Sequence, residues 1–218
     1  MTARLEAFAC ANGATLYAAT LAAAAAVLAH EVGSRRLVVG SYVSLRNRLP
    51  LQRMIGDFTA LTPVLLELAP ASGFRDWLAR AAAQATAAVT HAAPTPEMLG
   101  KSLAPAGIGL PEIAAIFSLR HDHPVQRFAD LELTQPNVPA RTMPWGFTLV
   151  CSEGGAGLRI TARFDAGLYD PAGVAAMLDR MVAFTGRALD APDAPIASLL
   201  PAAPGRWRRL LARLFDRS

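Results

Sequence analysis

Apolar and polar positions change period several times along this 218-residue chain. The uncharged run from Ala7 to Ala29 is split by Asn12-Gly13, a helix-ending pair, which predicts packed helices over 3–11 and 15–30. Thr15 is placed to cap the second helix, whose alanines allow close approach. The run is long enough to span a bilayer. Its interruption, and Glu6 where an export signal carries positive charge, argue for helices inside a folded domain instead. Residues 36–43 form a β-branched run bounded by glycine, the pattern of a buried strand. Residues 46–50 read as a loop and 61–68 as a second strand, where Pro63 requires an edge or a bulge.

A helix is predicted from Ser72, as its cap, to about His91, with Phe74, Leu78 and Ala82 on one face. Residues 98–103 form a short helical turn and 112–120 a third strand; 121–146 is a loop-rich crossing around a short strand at 128–133. Residues 147–152 and 158–164 make a hairpin around Gly154-Gly155, with Leu158, Ile160, Ala162 and Phe164 on one side. Asp170-Pro171 starts a helix to about Leu189, striped by Val174, Met177, Leu178 and Met181. Proline-rich 192–204 reads as a linker. The sum is an α/β fold, a mixed sheet with flanking helices.

Charge changes the picture only at one end. Arg206, Arg208, Arg209, Arg213 and Arg217, against Asp216, carry the whole net charge of +4. The rest of the chain is neutral, whereas a nucleic-acid binder spreads basic residues over a face. No nucleic-acid partner is expected. Trp207, Leu210, Leu211, Leu214 and Phe215 fall at helical spacing, so 201–218 reads as a linker and a basic amphipathic helix. In it Trp207, Leu210 and Leu214 would anchor, and Arg208, Arg209 and Arg213 would steer, an acidic partner. Only Cys10 and Cys151 are present, too few for a disulfide scaffold or a structural zinc site; both read as small core residues of a reducing compartment.

Candidate chemistry is sparse. His121-Asp122-His123 is the one tight cluster, with no further ligand near it in sequence, so no metal is expected. Ser118 lacks a nucleophile elbow; it fits a strand serine bonded to the backbone more readily than a group that donates or relays a hydrogen bond to a substrate. Asp57 and Thr59 fit a turn closed by side-chain to backbone bonds more readily than a catalytic pair. Phe58 is expected in the core. The glycines at 154, 155 and 157 supply positive φ for the hairpin rather than a phosphate cradle.

In this order the residues resemble the C-terminal lobe of the condensation domain family of nonribosomal peptide synthetases, over roughly residues 4–200. The resemblance is carried by Leu5-Glu-Ala-Phe-Ala-Cys-Ala-Asn-Gly-Ala-Thr-Leu-Tyr17, by Leu37-Val-Val-Gly-Ser41 with Arg46-Asn-Arg48, and by Arg163-Phe-Asp-Ala-Gly-Leu-Tyr-Asp170. Gly56-Asp57-Phe58-Thr59 is similar to the Gly-Asp-Phe-Thr motif of the heterocyclisation subgroup. The leucine pair that should follow at Pro63-Val64 comes at Leu65-Leu66. Glu112-Ile-Ala-Ala-Ile-Phe117-Ser118 is similar to the subgroup's Pro-Val-Val-Phe-Thr-Ser, with Ser118 where the family has its functional threonine. Thr134-Gln135-Pro136-Asn137-Val138 is a degraded Thr-Gln-Thr-Pro-Gln-Val. The aspartate expected three residues beyond it is Arg141, or Gly146 if the following strand sets the alignment; neither accepts a proton.

The resemblance implies a single chloramphenicol acetyltransferase-like lobe over 1–200, without the N-terminal lobe that carries the family's His-His-x-x-x-Asp-Gly motif. It implies a cytoplasmic half condensation or heterocyclisation domain that pairs with a separately encoded N-terminal lobe or scaffolds a carrier protein or synthetase subunit. Such a domain needs no cofactor of its own, since substrates ride on partner phosphopantetheine arms. The competing expectation is a self-sufficient acyltransferase working as a homo-oligomer, with a base from His91, His121 or His123.

Overall fold

Asn12 and Gly13 turn the chain through 106° between α1 (Thr2–Ala11) and α2 (Leu16–Val32). Thr15 caps α2, its Oγ1 accepting the Ala18 N–H at 3.1 Å. Thirteen of the 17 residues of α2 are buried, as expected for a helix that is apolar all round. In the computed structural model, which describes residues 1–46, 49–92, 96–109, 112–121, 126–128, 131–133 and 146–200, no single helix is long and apolar enough to cross a membrane.

The five-stranded sheet runs in the order β2 (Thr59–Glu67), β1 (Arg36–Ser44), β3 (Ala115–His121), β6 (Phe147–Gly154), β7 (Gly157–Phe164). β1, β3 and β6 are mutually parallel, and antiparallel hairpin partners flank them on both sides. Pro63 lies in the edge strand β2, where a missing N–H is tolerated. β4 (Gln126–Phe128) and β5 (Leu131–Leu133) form a separate antiparallel ladder where one strand was expected.

The helices α2, α4 (Phe74–Thr90) and α6 (Pro171–Asp190) share one hydrophobic core with one face of the sheet. Alternation along the strands sends Leu37, Val39, Val64, Leu66, Phe117, Leu149 and Cys151 into it. Leu158, Ile160, Ala162 and Phe164 pack against it as their spacing predicts. Trp77 ties α4 to α2, its Nε1 donating to the Ala22 carbonyl at 2.9 Å. Asp170 caps α6 by accepting the Gly173 N–H at 3.0 Å, with Pro171 in the first turn. On the helix side the Tyr17 hydroxyl donates to Ser41 Oγ at 2.7 Å, and its ring meets Phe117 edge-on. One residue of α2 thus holds β1 and β3 together.

Several sequence expectations are corrected. The cap position of α4 is Gly73, not Ser72, whose hydroxyl donates to the Ala69 carbonyl instead. A Cβ on Gly73 would fall 2.7 Å from both Asp193 Cα and the Pro192 carbonyl oxygen, so the crossing segment demands glycine. That segment is not a free linker: α7 (Ile196–Leu199) buries Ile196 and Leu199, and the Ile196 N–H donates to Ser72 O at 3.0 Å. Cys10 is exposed; only Cys151 is buried, where burial pushes its thiol up to about 12. In the β6–β7 hairpin, Gly157 alone of its three glycines has positive φ. A short helix α3 (Leu49–Gln52) occupies part of the expected 46–50 loop, α5 (Pro96–Leu103) includes the expected 98–103 helical turn, and the third strand starts at Ala115 rather than Glu112. The expected tail helix, with Trp207, Arg208, Arg209, Leu210, Arg213 and Leu214, lies outside the described residues, as do Asp122, His123, Thr134 to Val138 and Arg141.

Candidate functional site

Phe117 points into the helix layer, so alternation along β3 puts Ser118 on the opposite face, away from α2, α4 and α6. Ser118 is half-buried beside Val150 of β6, with Ile116 and Arg120 above and below it on the same face. Continuing the β1–β3 register by one residue sets Tyr42, half-exposed, at its other side. Arg120 Nε reaches Ser152 Oγ at a long 3.4 Å. Gly40 belongs to this surface too. A Cβ there would sit 2.5 Å from Ile116 Cδ1 and 3.1 Å from side-chain carbons of Ile113 and Leu61. The glycine lets the chain before β3 fold down over one end of the face.

The second candidate pair stands on the turn entering β2. Asp57 Oδ1 accepts the Thr59 N–H at 3.0 Å, the side-chain to backbone closure that its spacing suggests. Both residues are exposed. Thr59 and Ser118 share this face of the sheet but lie about 12 Å apart, from two strand spacings and a two-residue offset. The structure does not bring them into one hydrogen-bonded group.

Sequence reasoning missed the part played by Arg46. Its guanidinium donates to the carbonyls of Leu51 at 2.8 Å, Met54 at 2.7 Å and Gly56 at 2.8 Å, and lies 4.6 Å from the centre of the Phe58 ring. Five donors in a fixed fork suit that task. Phe58 is therefore half-buried under a cation, not a core ring. An arginine beside a Gly-Asp-Phe-Thr segment was the available signal, and its meaning needed the loop to be folded.

The histidines do not complete the site. His121 Nδ1 lies 2.7 Å from Glu153 Oε2, and by alternation with Phe117 it leans to the helix side. His91 ends α4 with Nδ1 2.7 Å from the Ala87 carbonyl, and His30 lies in α2. Among the described residues no histidine shares the face of Ser118, and no group of three metal-ligating side chains occurs. The arrangement can offer a hydroxyl and a nearby guanidinium to a substrate, and among the described residues no histidine stands beside them as a base.

A family model described as the condensation domain matches residues 1–210. One of the proteins that make up the linear gramicidin synthase of Brevibacillus parabrevis is 26% identical over 204 residues, covering 91% of this chain and 3% of that protein. The condensation domain of the monacolin K polyketide synthase MokA superposes with a TM-score of 0.74 at 19% identity, over 90% of this chain and 46% of that one. The first condensation domain of the CDA synthetase gives 0.69 at 18%, over 90% and 44%. SgcC5 of Streptomyces globisporus gives 0.67 at 18%, over 89% and 46%. The chain thus spans less than half the length of each of these structures, and their likeness at such identities establishes the α/β fold. With the family model running from the first helix past the last described residue, the chain belongs to the condensation domain family.

Proposed function

We propose that this lobe supplies one wall of an acyl-transfer site of nonribosomal peptide synthesis, closed by an N-terminal lobe that brings the base. The observation that carries the reading is Ser118, half-buried on the sheet face away from the helix layer, a face that no described histidine shares. Substrates would be acyl or aminoacyl thioesters on carrier-protein phosphopantetheine arms. The acceptor amine attacks the thioester carbonyl, its proton passes to the base of the other lobe, and the pantetheine thiol leaves. Gly56-Asp57-Phe58-Thr59 and Phe117-Ser118 support the heterocyclisation branch. There the hydroxyl of Ser118 would relay a proton during ring closure, while Asp57 and Thr59 keep the loop in shape. The basic segment with Trp207, Leu210 and Leu214 would dock an acidic carrier protein or synthetase subunit.

The test mixes the purified chain with an N-terminal condensation lobe carrying an intact histidine motif and two loaded carrier proteins. Amide product should require both lobes. Ser118→Ala should reduce the cyclised product more than the linear amide; equal loss of both would make Ser118 a structural residue. Thioester turnover by the purified chain alone would favour the homo-oligomeric acyltransferase instead.

A further inference from the structure

On the side of the sheet away from Ser118, the helix layer leaves a cavity of about 90 Å³. Leu5 of α1, Ala23 and Ala24 of α2, Leu158 and Ile160 of β7 and Met181 of α6 wall it. The void follows from the sequence, because α2 presents only methyl groups at 23 and 24 opposite the β7 side chains. The threonine hydroxyls in the lining all have partners: Thr2 Oγ1 accepts the Leu158 N–H at 3.0 Å. Thr20 Oγ1 donates to the Leu16 carbonyl at 2.8 Å, and Thr185 Oγ1 to the Met181 carbonyl at 2.7 Å. None of the buried side-chain atoms that lack a partner belongs to the cavity. A buried water needs two to four polar partners, and apolar cavities stay dry. Met1 and Val182, 56% and 48% exposed, stand at the rim and give the cavity a way out to solvent.

We propose that this cavity is a binding site for the methyl end of an unbranched alkyl chain, with the polar head left outside beside Met1 and Val182. Size selects the ligand. The cavity is well below the roughly 150 Å³ that admits benzene, so an aromatic ring is excluded while the first few carbons of a chain fit. Each methylene that enters should tighten binding about fourfold, from the transfer free energy of a buried CH₂. The gain should stop when the cavity is full.

The experiment titrates the full chain with the straight-chain alcohols from ethanol to 1-octanol, and separately with benzene, reading the methyl ¹³C–¹H signals of Leu158, Ile160 and Met181. Saturable shifts at these methyls are expected, with affinity rising about fourfold per carbon and then levelling off. Benzene should leave them unmoved, and folded Ala24→Leu should lose the response. Affinity that climbs without levelling through octanol, an equal response to benzene, unmoved methyls, or undiminished binding in folded Ala24→Leu would overturn the proposal. If Ala24→Leu does not fold, the alcohol-against-benzene contrast in the unaltered chain decides.

Discussion

The ion pair between Glu31 of α2 and Arg180 of α6 should stabilise the lobe far less than its burial suggests, while each partner depends strongly on the other. The Glu31 side chain is fully buried and that of Arg180 is 14% exposed, with Arg180 Nε 2.6 Å from Glu31 Oε1. The contact leaves Glu31 Oε2 and Arg180 Nη2 buried with no partner. Glu31 also sits in the last turn of its helix, where the macrodipole disfavours negative charge. Arg180→Met strands the carboxyl in apolar surroundings and should cost about 3–5 kcal/mol; Glu31→Leu strands the guanidinium at similar cost. Changing both removes the two desolvation penalties and the two orphaned atoms together. The double variant should equal the unaltered protein or exceed it by up to about 4 kcal/mol. Urea denaturation followed by circular dichroism reads all four corners of the cycle. Each single loss corresponds to a fall of roughly 6–20 °C in melting temperature for a chain of this size. Single variants within about 1 kcal/mol of the parent, or a double variant that loses the sum of the singles, would refute the reasoning.

Phe58→Ala should cost about 1–2 kcal/mol rather than the 3–5 of a core ring, because it removes a cation–π contact and partial burial; a loss near 4 kcal/mol by urea titration would place the ring in the core after all. Gly73→Ala should destabilise by more than about 2 kcal/mol, since the added methyl meets backbone that cannot step aside; an unchanged melting curve would show that the 192–200 segment does not dock as described. Cys10 should alkylate in the native state at pH 8 and Cys151 only after unfolding, read by mass spectrometry. Because burial raises the Cys151 thiol from 9.0 to about 12, its contribution to stability is complete below pH 9 and is lost as pH rises toward 12; stability constant from pH 9 to 11 in a Cys10→Ser background, relative to Cys151→Ala, would contradict that.

Local chemistry made much of the fold legible. The Thr15 and Asp170 caps, the 147–164 hairpin and the edge position of the proline strand each follow from residues close in sequence. What failed depended on partners far away. Ser72 has the side chain of a helix cap, but Asp193 presses on the next residue, and only glycine fits there. Residues 192–200 have a linker's composition, yet Ile196 and Leu199 find a surface that no local pattern announces. Cys10 and Cys151 are chemically alike, and only tertiary packing separates an exposed thiol from a buried one. At the candidate site, the motif resemblance singled out Ser118 and Asp57 as candidates but could not give their distance from one another. Alternation gave the face of each residue once the register of β1 against β3 was known.

The alanines of α2 also shape how this lobe can change over time. Ala19, Ala22, Ala25 and Ala26 are at most 1% exposed, and alanine gives up no rotamer freedom on burial. The helix therefore acts as a spacer of fixed gauge, setting how closely the sheet and the outer helices approach. Enlarging any of these four positions would strain several neighbours at once. Replacements there should be confined to residues as small as glycine and serine, while the outer helices, each with a solvent face, have room to vary. A lineage of such lobes would then hold its sheet-to-helix distance nearly constant while its surface diverges, so that new partners could be acquired without resetting the sheet face that carries Ser118.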